Sequence, residues 1–181
     1  MKGMVFVELL NMAEAAIGED AVDEILDRAE LASDGAYSAV GNYSCSELIK
    51  LVEAIGLHVK ASPEDLQTQF GHWMFRRFVE GYPGFFTDKA DAFDMLEAIE
   101  NEVHVEVRKL YPEVELPHFS TERFGGDRLQ MVYRSERPLT HFCLGLIQAC
   151  IAHFGEPAEV DMVPLVEEAQ HAAEFTIRKA A

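Results

Sequence analysis

The hydrophobic period of the chain changes once, near Tyr111-Pro112, and that single change confines the fold. Before it, apolar residues recur at helical spacing. Residues 3–16 read as a first helix with Val7, Leu10 and Leu9 facing in, ended near Gly18, and residues 20–31 as a second carrying Val22, Ile25, Leu26 and Ala29. Ser44 with Glu47 three residues on is a capping-box pattern that opens a third helix, running to Gly56. Ser62-Pro63-Glu64-Asp65 supplies a cap, a proline at the first helical position and acids in the first turn. That helix carries Phe70, Trp73, Met74 and Phe78 and breaks at Gly81. A long helix is predicted over 89–110. After Pro112 the pattern shortens: 116–119 reads as extended, Phe124-Gly125-Gly126-Asp127 as a turn, and 129–134 alternates like a strand. A helix over 138–154 and short strands at 160–166 and 174–178 follow, with a polar stretch between the strands. A helical N-terminal portion followed by a helix-and-sheet portion is an α+β layout, and the short connections favour an antiparallel sheet.

Charge and cysteine usage exclude several functions. Against 15 Lys and Arg stand 32 Asp and Glu, a net charge of −17 over 181 residues. A nucleic-acid binder needs a basic stripe, and an anionic membrane repels such a surface. No apolar run approaches a membrane span, and the N-terminus does not read as a secretory signal, so a cytoplasmic protein is expected. Cys45, Cys143 and Cys150 form no CxxC. On one helix Cys143 and Cys150 would lie about 10.5 Å apart, too far for a disulfide. They read as small buried hydrophobes.

Two constellations carry chemistry. In the long helix, His104 falls roughly 90° from the centre of the stripe formed by Phe93, Leu96, Val103, Val107 and Leu110, beside Val103 and Val107. It reads as a boundary residue, with Glu100 and Glu97 behind it. Such a histidine is either structural or a ligand, and a lone imidazole at the rim of an apolar surface can give one axial bond to a haem iron. In the second constellation Tyr133, Ser135 and Arg137 share one face of an extended strand. A phenol, a hydroxyl and a guanidinium fork suit a carboxylate or phosphate, the alternative being an ordinary strand edge. Glu168-Ala169-Gln170-His171 fits one half of a di-iron motif, but no second Glu-x-x-His accompanies it. The aromatic and Met residues along the helices read as core or as a wall around a flat ligand.

In order along the chain stand MKGMVF, Glu102-Val103-His104-Val105 running into Lys109-Leu110-Tyr111-Pro112, Leu116-Pro117, Tyr133-x-Ser135-x-Arg137, and Phe142-Cys143-Leu144-Gly145-Leu146. Together they resemble the haem nitric oxide/oxygen-binding (H-NOX) domain, in its bacterial stand-alone form related to the haem domain of soluble guanylate cyclase. The resemblance spans essentially the whole chain. It implies one sensor domain over 1–181, with a helical subdomain of about 1–65 packed on a subdomain of about 66–181 that holds a four-stranded antiparallel sheet, and b-type haem between them. His104 would ligate the iron, Tyr133, Ser135 and Arg137 would bind the propionates, and Pro117 would press on the porphyrin.

The resemblance also implies a function that is not catalytic. Members that hold oxygen place a distal tyrosine where this chain has Phe142, and their other polar distal positions correspond to Leu9 and Met74. Bound oxygen carries partial negative charge and needs a donor, so the expected ligands are nitric oxide and carbon monoxide. Release of His104 and a shift of the subdomains would signal to a separate histidine kinase or diguanylate cyclase. His72 and His141 are the residues that could put a polar group back into the pocket. The competing readings are a haem peroxidase-like enzyme and a haem-free regulatory module that binds a carboxylate on the Tyr133/Ser135/Arg137 face.

Overall fold

The structure, a computed structural model, describes residues 1–180. Seven α-helices and four strands follow in the order α1 (Gly3–Ile17), α2 (Glu19–Arg28), α3 (Cys45–Val59), α4 (Pro63–Gly81), α5 (Ala92–Ala98), α6 (His104–Leu110), β1 (His118–Phe124), β2 (Arg128–Ser135), α7 (Thr140–His153), β3 (Ala158–Val166) and β4 (His171–Lys179). The sheet is antiparallel throughout in the order β1-β2-β4-β3. The α+β class and the helical-then-sheet layout read from the sequence therefore hold.

Local chemistry explains most of the boundaries. Ser62 Oγ accepts the Asp65 amide at 3.0 Å, and Asp91 Oδ1 accepts the Asp94 amide at 2.8 Å, each satisfying an orphan donor at a helix start. At α3 the Ser44 hydroxyl accepts from the Ser46 amide at 3.2 Å. The expected reciprocal arm of the capping box is absent, because Glu47 turns inward. Its carboxylate accepts from Ser33 Oγ at 2.6 Å, the Ser33 amide at 3.2 Å and Tyr37 Oη at 3.0 Å, pinning the 32–43 loop to α3. The buried face of α1 is Gly3, Phe6, Leu9 and Ala13, so Val7 and Leu10, expected to face in, are only half-buried. Phe6 takes the lead there because Tyr37 stacks on it, ring centroids 4.7 Å apart.

The long helix expected over 89–110 is three pieces. Residues 89–91 lie outside it, α5 begins at Ala92, and a π-helical turn over Ile99–Val103 separates α5 from α6. The His104 amide closes that turn on the Ile99 carbonyl. One inserted residue of this kind rotates everything after it, which is a common device at functional sites. It also carries His104 off the rim of the apolar stripe: the residue is buried, 7% exposed, not a boundary residue.

Two apolar cores result. One gathers Phe6, Leu9, Val22, Leu48, Leu51, Ile55, Phe70 and Met74 from the first four helices. The other packs α5 and α7 on the sheet through Phe93, Leu96, Met131, Tyr133, Ile147 and Phe175. Helix α4 serves both, sending Phe70 and Met74 one way and Phe75 the other. It crosses α7 at backbone contact, where Gly71 lies under the Phe142 carbonyl and Gly145 under the Thr68 carbonyl, with no room for a Cβ at either. Cys143 and Cys150 are buried free thiols in the second core, and burial pushes the Cys150 thiol up to about 12. Among the described residues no helix is long and apolar enough to cross a membrane.

Candidate functional site

The residues singled out in the sequence fall into three groups, one in the helical core and two beside the sheet core. Leu9 and Met74 are fully buried in the helical core, and Phe142 packs against the same core with its ring 5.1 Å from that of Phe70. None of the three side chains carries a hydrogen-bond donor. Gly71 sets their spacing, since it brings the Phe142 turn of α7 down onto α4.

The second group sits at the C-terminal end of β2. Tyr133 is buried, and its hydroxyl donates to the Arg137 carbonyl at 3.4 Å. Ser135 Oγ accepts the Arg137 amide at 3.1 Å. Burial pushes the Tyr133 phenol well above its ordinary pKa, so it stays a neutral donor. Arg137 does not wait in solvent: Nη2 holds the Glu115 carboxylate at 2.7 Å and Nη1 the Glu115 carbonyl at 2.9 Å. The Glu115 side chain is 75% exposed while that of Arg137 is 18% exposed, so the fork is built into the fold and its carboxylate partner lies at the surface. Cavities of about 440 and 310 Å³ flank Arg137, the first also lined by Met1, Lys2 and Tyr111, the second by Arg108, His118 and Arg134. Neither is lined by His104, Leu9, Met74 or Phe142.

The third group is centred on His104. Its Nδ1 lies 3.2 Å from Glu100 Oε2. Burial lowers the imidazole pKa, against the opposing pull of Glu100, so the ring is neutral near pH 7. Burial alone would raise the Glu100 pKa, but the Phe119 amide, Arg108 and His104 together hold it below the ordinary value. An ionised carboxylate only accepts, so Nδ1 carries the proton and Nε2 the lone pair. Among the described residues Nε2 has no hydrogen-bond partner. The ring packs on Phe119 at 5.6 Å, and Phe119 on Tyr133 at 5.7 Å, which joins this group to the second. Pro117 is half-buried two residues before Phe119.

The histidines that could have repolarised the pocket stand elsewhere. His72 is exposed and its Nε2 pairs with Gln148 Oε1 at 2.9 Å. Half-buried His141 contributes its carbonyl to Thr68 Oγ1 at 3.3 Å. The second Glu-x-x-His partner for Glu168 and His171 is missing in space too: among the described residues no group of three His, Cys, Asp or Glu could hold a metal ion. Sequence reasoning left Glu100 and Glu115 without roles, although Glu100 stands at the i, i+4 spacing to His104 that puts two side chains on one helix face.

A haem asks for a neutral nitrogen ligand, a carboxylate grip and an apolar enclosure. The donor sets here fit each request: an oriented imidazole with a free lone pair, a guanidinium fork that already holds a carboxylate, and Leu9, Met74 and Phe142. Residues 2–162 match the sequence profile of the haem-NO-binding family. The fold superposes on the unliganded Fe(II) H-NOX protein from K. algicida with a TM-score of 0.92 at 36% identity, over 100% of this chain and 97% of that one. An H-NOX protein from S. oneidensis in the Fe(II)NO state gives a TM-score of 0.89 at 23% identity, over 100% of both chains. A point mutant of T. tengcongensis H-NOX gives 0.89 at 20% identity, over 100% of this chain and 98% of that one. No functionally curated protein matches the sequence.

Proposed function

Since the chain belongs to the haem-NO-binding family of gas-sensing domains, we propose that it is a nitric oxide sensor that excludes oxygen and signals to a separate protein. The observation that carries the reading is the pairing of an oriented, neutral His104 with a set of Leu9, Met74 and Phe142 that offers no hydrogen-bond donor. When bound, b-type haem would supply a ferrous iron able to bind a protein nitrogen and a diatomic gas.

The chain's own residues then divide the work. His104 would hold the iron through Nε2, the nitrogen that Glu100 leaves free. Tyr133, Ser135 and Arg137 would hold the propionates, one of which would take the place of the Glu115 carboxylate on Arg137. Pro117, half-buried two residues before Phe119, would pack on the porphyrin. Leu9, Met74 and Phe142 would line the gas-binding side; a ligand that acquires negative charge would find no donor there, whereas nitric oxide and carbon monoxide need none. The signal would be release of His104 from the iron. Its helix, α6, is joined to α5 by a π turn, and Glu100 in that turn also holds the Phe119 amide of β1 at 3.1 Å. A displaced His104 is thereby linked to the sheet, and α4 and α7 link the sheet to the helical subdomain of about residues 1–65. A two-state element biased by a ligand is what a switch requires. The receiver is a histidine kinase or diguanylate cyclase acting in trans. With a net charge of −17, the chain suits a receiver patch of basic character.

The test is the visible absorption spectrum of the anaerobically reduced protein, before and after air and, separately, nitric oxide. The expected result is a ferrous Soret band that air does not convert to an oxygen complex and that nitric oxide shifts to the five-coordinate form. A stable oxygen complex would overturn the apolar-pocket reading. A protein that takes up no haem would overturn the sensor reading and favour a carboxylate-binding module.

A further inference from the structure

Glu100 meets four nitrogen groups from two elements, α6 and β1. Oε2 takes His104 Nδ1 at 3.2 Å and the Phe119 amide at 3.1 Å, while Oε1 takes Arg108 Nη2 at 3.2 Å and lies 3.4 Å from His118 Nδ1. Its side chain is only 20% exposed, and it stands in the π turn, so both its position and its orientation are determined by the backbone around it. A neutral imidazole can carry its proton on either nitrogen, and the hydrogen-bond partner of one nitrogen decides what the other can do. A carboxylate at Nδ1 leaves Nε2 as the nitrogen with the lone pair, holds the ring against rotation and makes it a stronger base.

We propose that Glu100 is the positioning residue of the axial ligand: it sets the tautomer and orientation of His104 and ties that histidine to the first strand of the sheet. The inference rests on the reading of His104 as the axial ligand. It adds that the strength of the ligand bond, and so the ease of its release, is set one helical turn away. Arg108 is the counterweight. By sharing the same carboxylate it draws charge away from the imidazole, so its loss should strengthen the hold on His104 while the loss of Glu100 weakens it.

The experiment compares the full chain as purified with Glu100→Gln, Glu100→Leu and Arg108→Gln variants, each checked for folding by circular dichroism. In the haem-free protein, nitrogen-15 NMR of the histidine rings should show His104 protonated at Nδ1 in the native chain, and a shift towards Nε2 protonation in Glu100→Leu. In the haem-loaded ferrous protein, the iron–histidine stretch in the resonance Raman spectrum should fall from the native chain through Glu100→Gln to Glu100→Leu, and rise in Arg108→Gln. Haem loss to a scavenger should quicken by about 10- to 100-fold in Glu100→Leu. Glu100→Gln retains an acceptor and the fold, which separates tuning from misfolding.

Unchanged tautomer and stretch in folded Glu100 variants would overturn the inference while leaving the sensor reading intact. An iron–histidine band that survives in a His104→Gly control would overturn the axial assignment, and the inference with it.

Discussion

Two side chains show how far one residue can decide behaviour. Phe142 is half-buried with its ring on Phe70, and a tyrosine differs from it by one hydroxyl. On the proposed function, Phe142→Tyr adds a donor where none exists, and a hydrogen bond to a partly charged ligand contributes about 1.5–3 kcal/mol. The expected outcome is a detectable oxygen complex in the reduced variant, with oxygen loss slowed roughly 10- to 100-fold relative to the parent, read by stopped-flow absorption. Glu47 governs stability in a comparable way. Burial alone would raise its pKa, but bonds from Ser33 and Tyr37 hold it below the ordinary value of 4.5. A carboxylate depressed on folding stabilises the native state above its unfolded pKa, and that contribution is lost as the pH falls through the folded pKa. Glu47→Gln should therefore cost about 1–3 kcal/mol near neutral pH, and the gap from the parent should narrow as melts are taken down to about pH 3.

At the scale of elements, the crossing of α4 and α7 is the feature on which both cores depend. Gly145 has no space for a Cβ because the Thr68 carbonyl fills it, and backbone cannot move aside as a flexible side chain can. Gly145→Ala should separate the helices, costing about 1–3 kcal/mol, and lower the melting temperature. It should also loosen the Phe142 contact with Phe70, visible as a wider range of gas-ligand stretching frequencies in the carbon monoxide complex. The π turn shows the opposite lesson. Periodicity alone treats 89–110 as one helix and sets His104 at the margin of the stripe, since a count of 100° per residue assumes an unbroken ladder. One turn with i to i+5 bonding breaks that count and turns His104 inwards.

In the whole molecule, the candidate site draws its residues from both cores. Local signals sufficed for much of what leads there: the Ser62 cap, the breaks at Gly81 and Pro112, the Gly125 turn and the alternation of β2 all depend on neighbours within a few residues, so they could be read directly. Tyr133 and Ser135 share one face of β2 because a strand's period of two holds wherever the strand lies, but β2 ends at Ser135 and Arg137 stands in the bend beyond it, so the period expected from the sequence does not place Arg137. Other features answer to partners far along the chain. Glu47 abandons its capping role for Ser33 and Tyr37, and Arg137 closes on Glu115, 22 positions away. Glu100 finds the Phe119 amide only after the chain has turned from α6 into β1. The sequence by itself determined the α+β layout, the charge and the residue types of the site, because these follow from local sterics and composition. Tertiary structure alone decided which nitrogen of His104 is free, which carboxylate holds it and how closely α7 approaches α4, because burial and long-range hydrogen bonds select among states that local chemistry leaves nearly equal in energy.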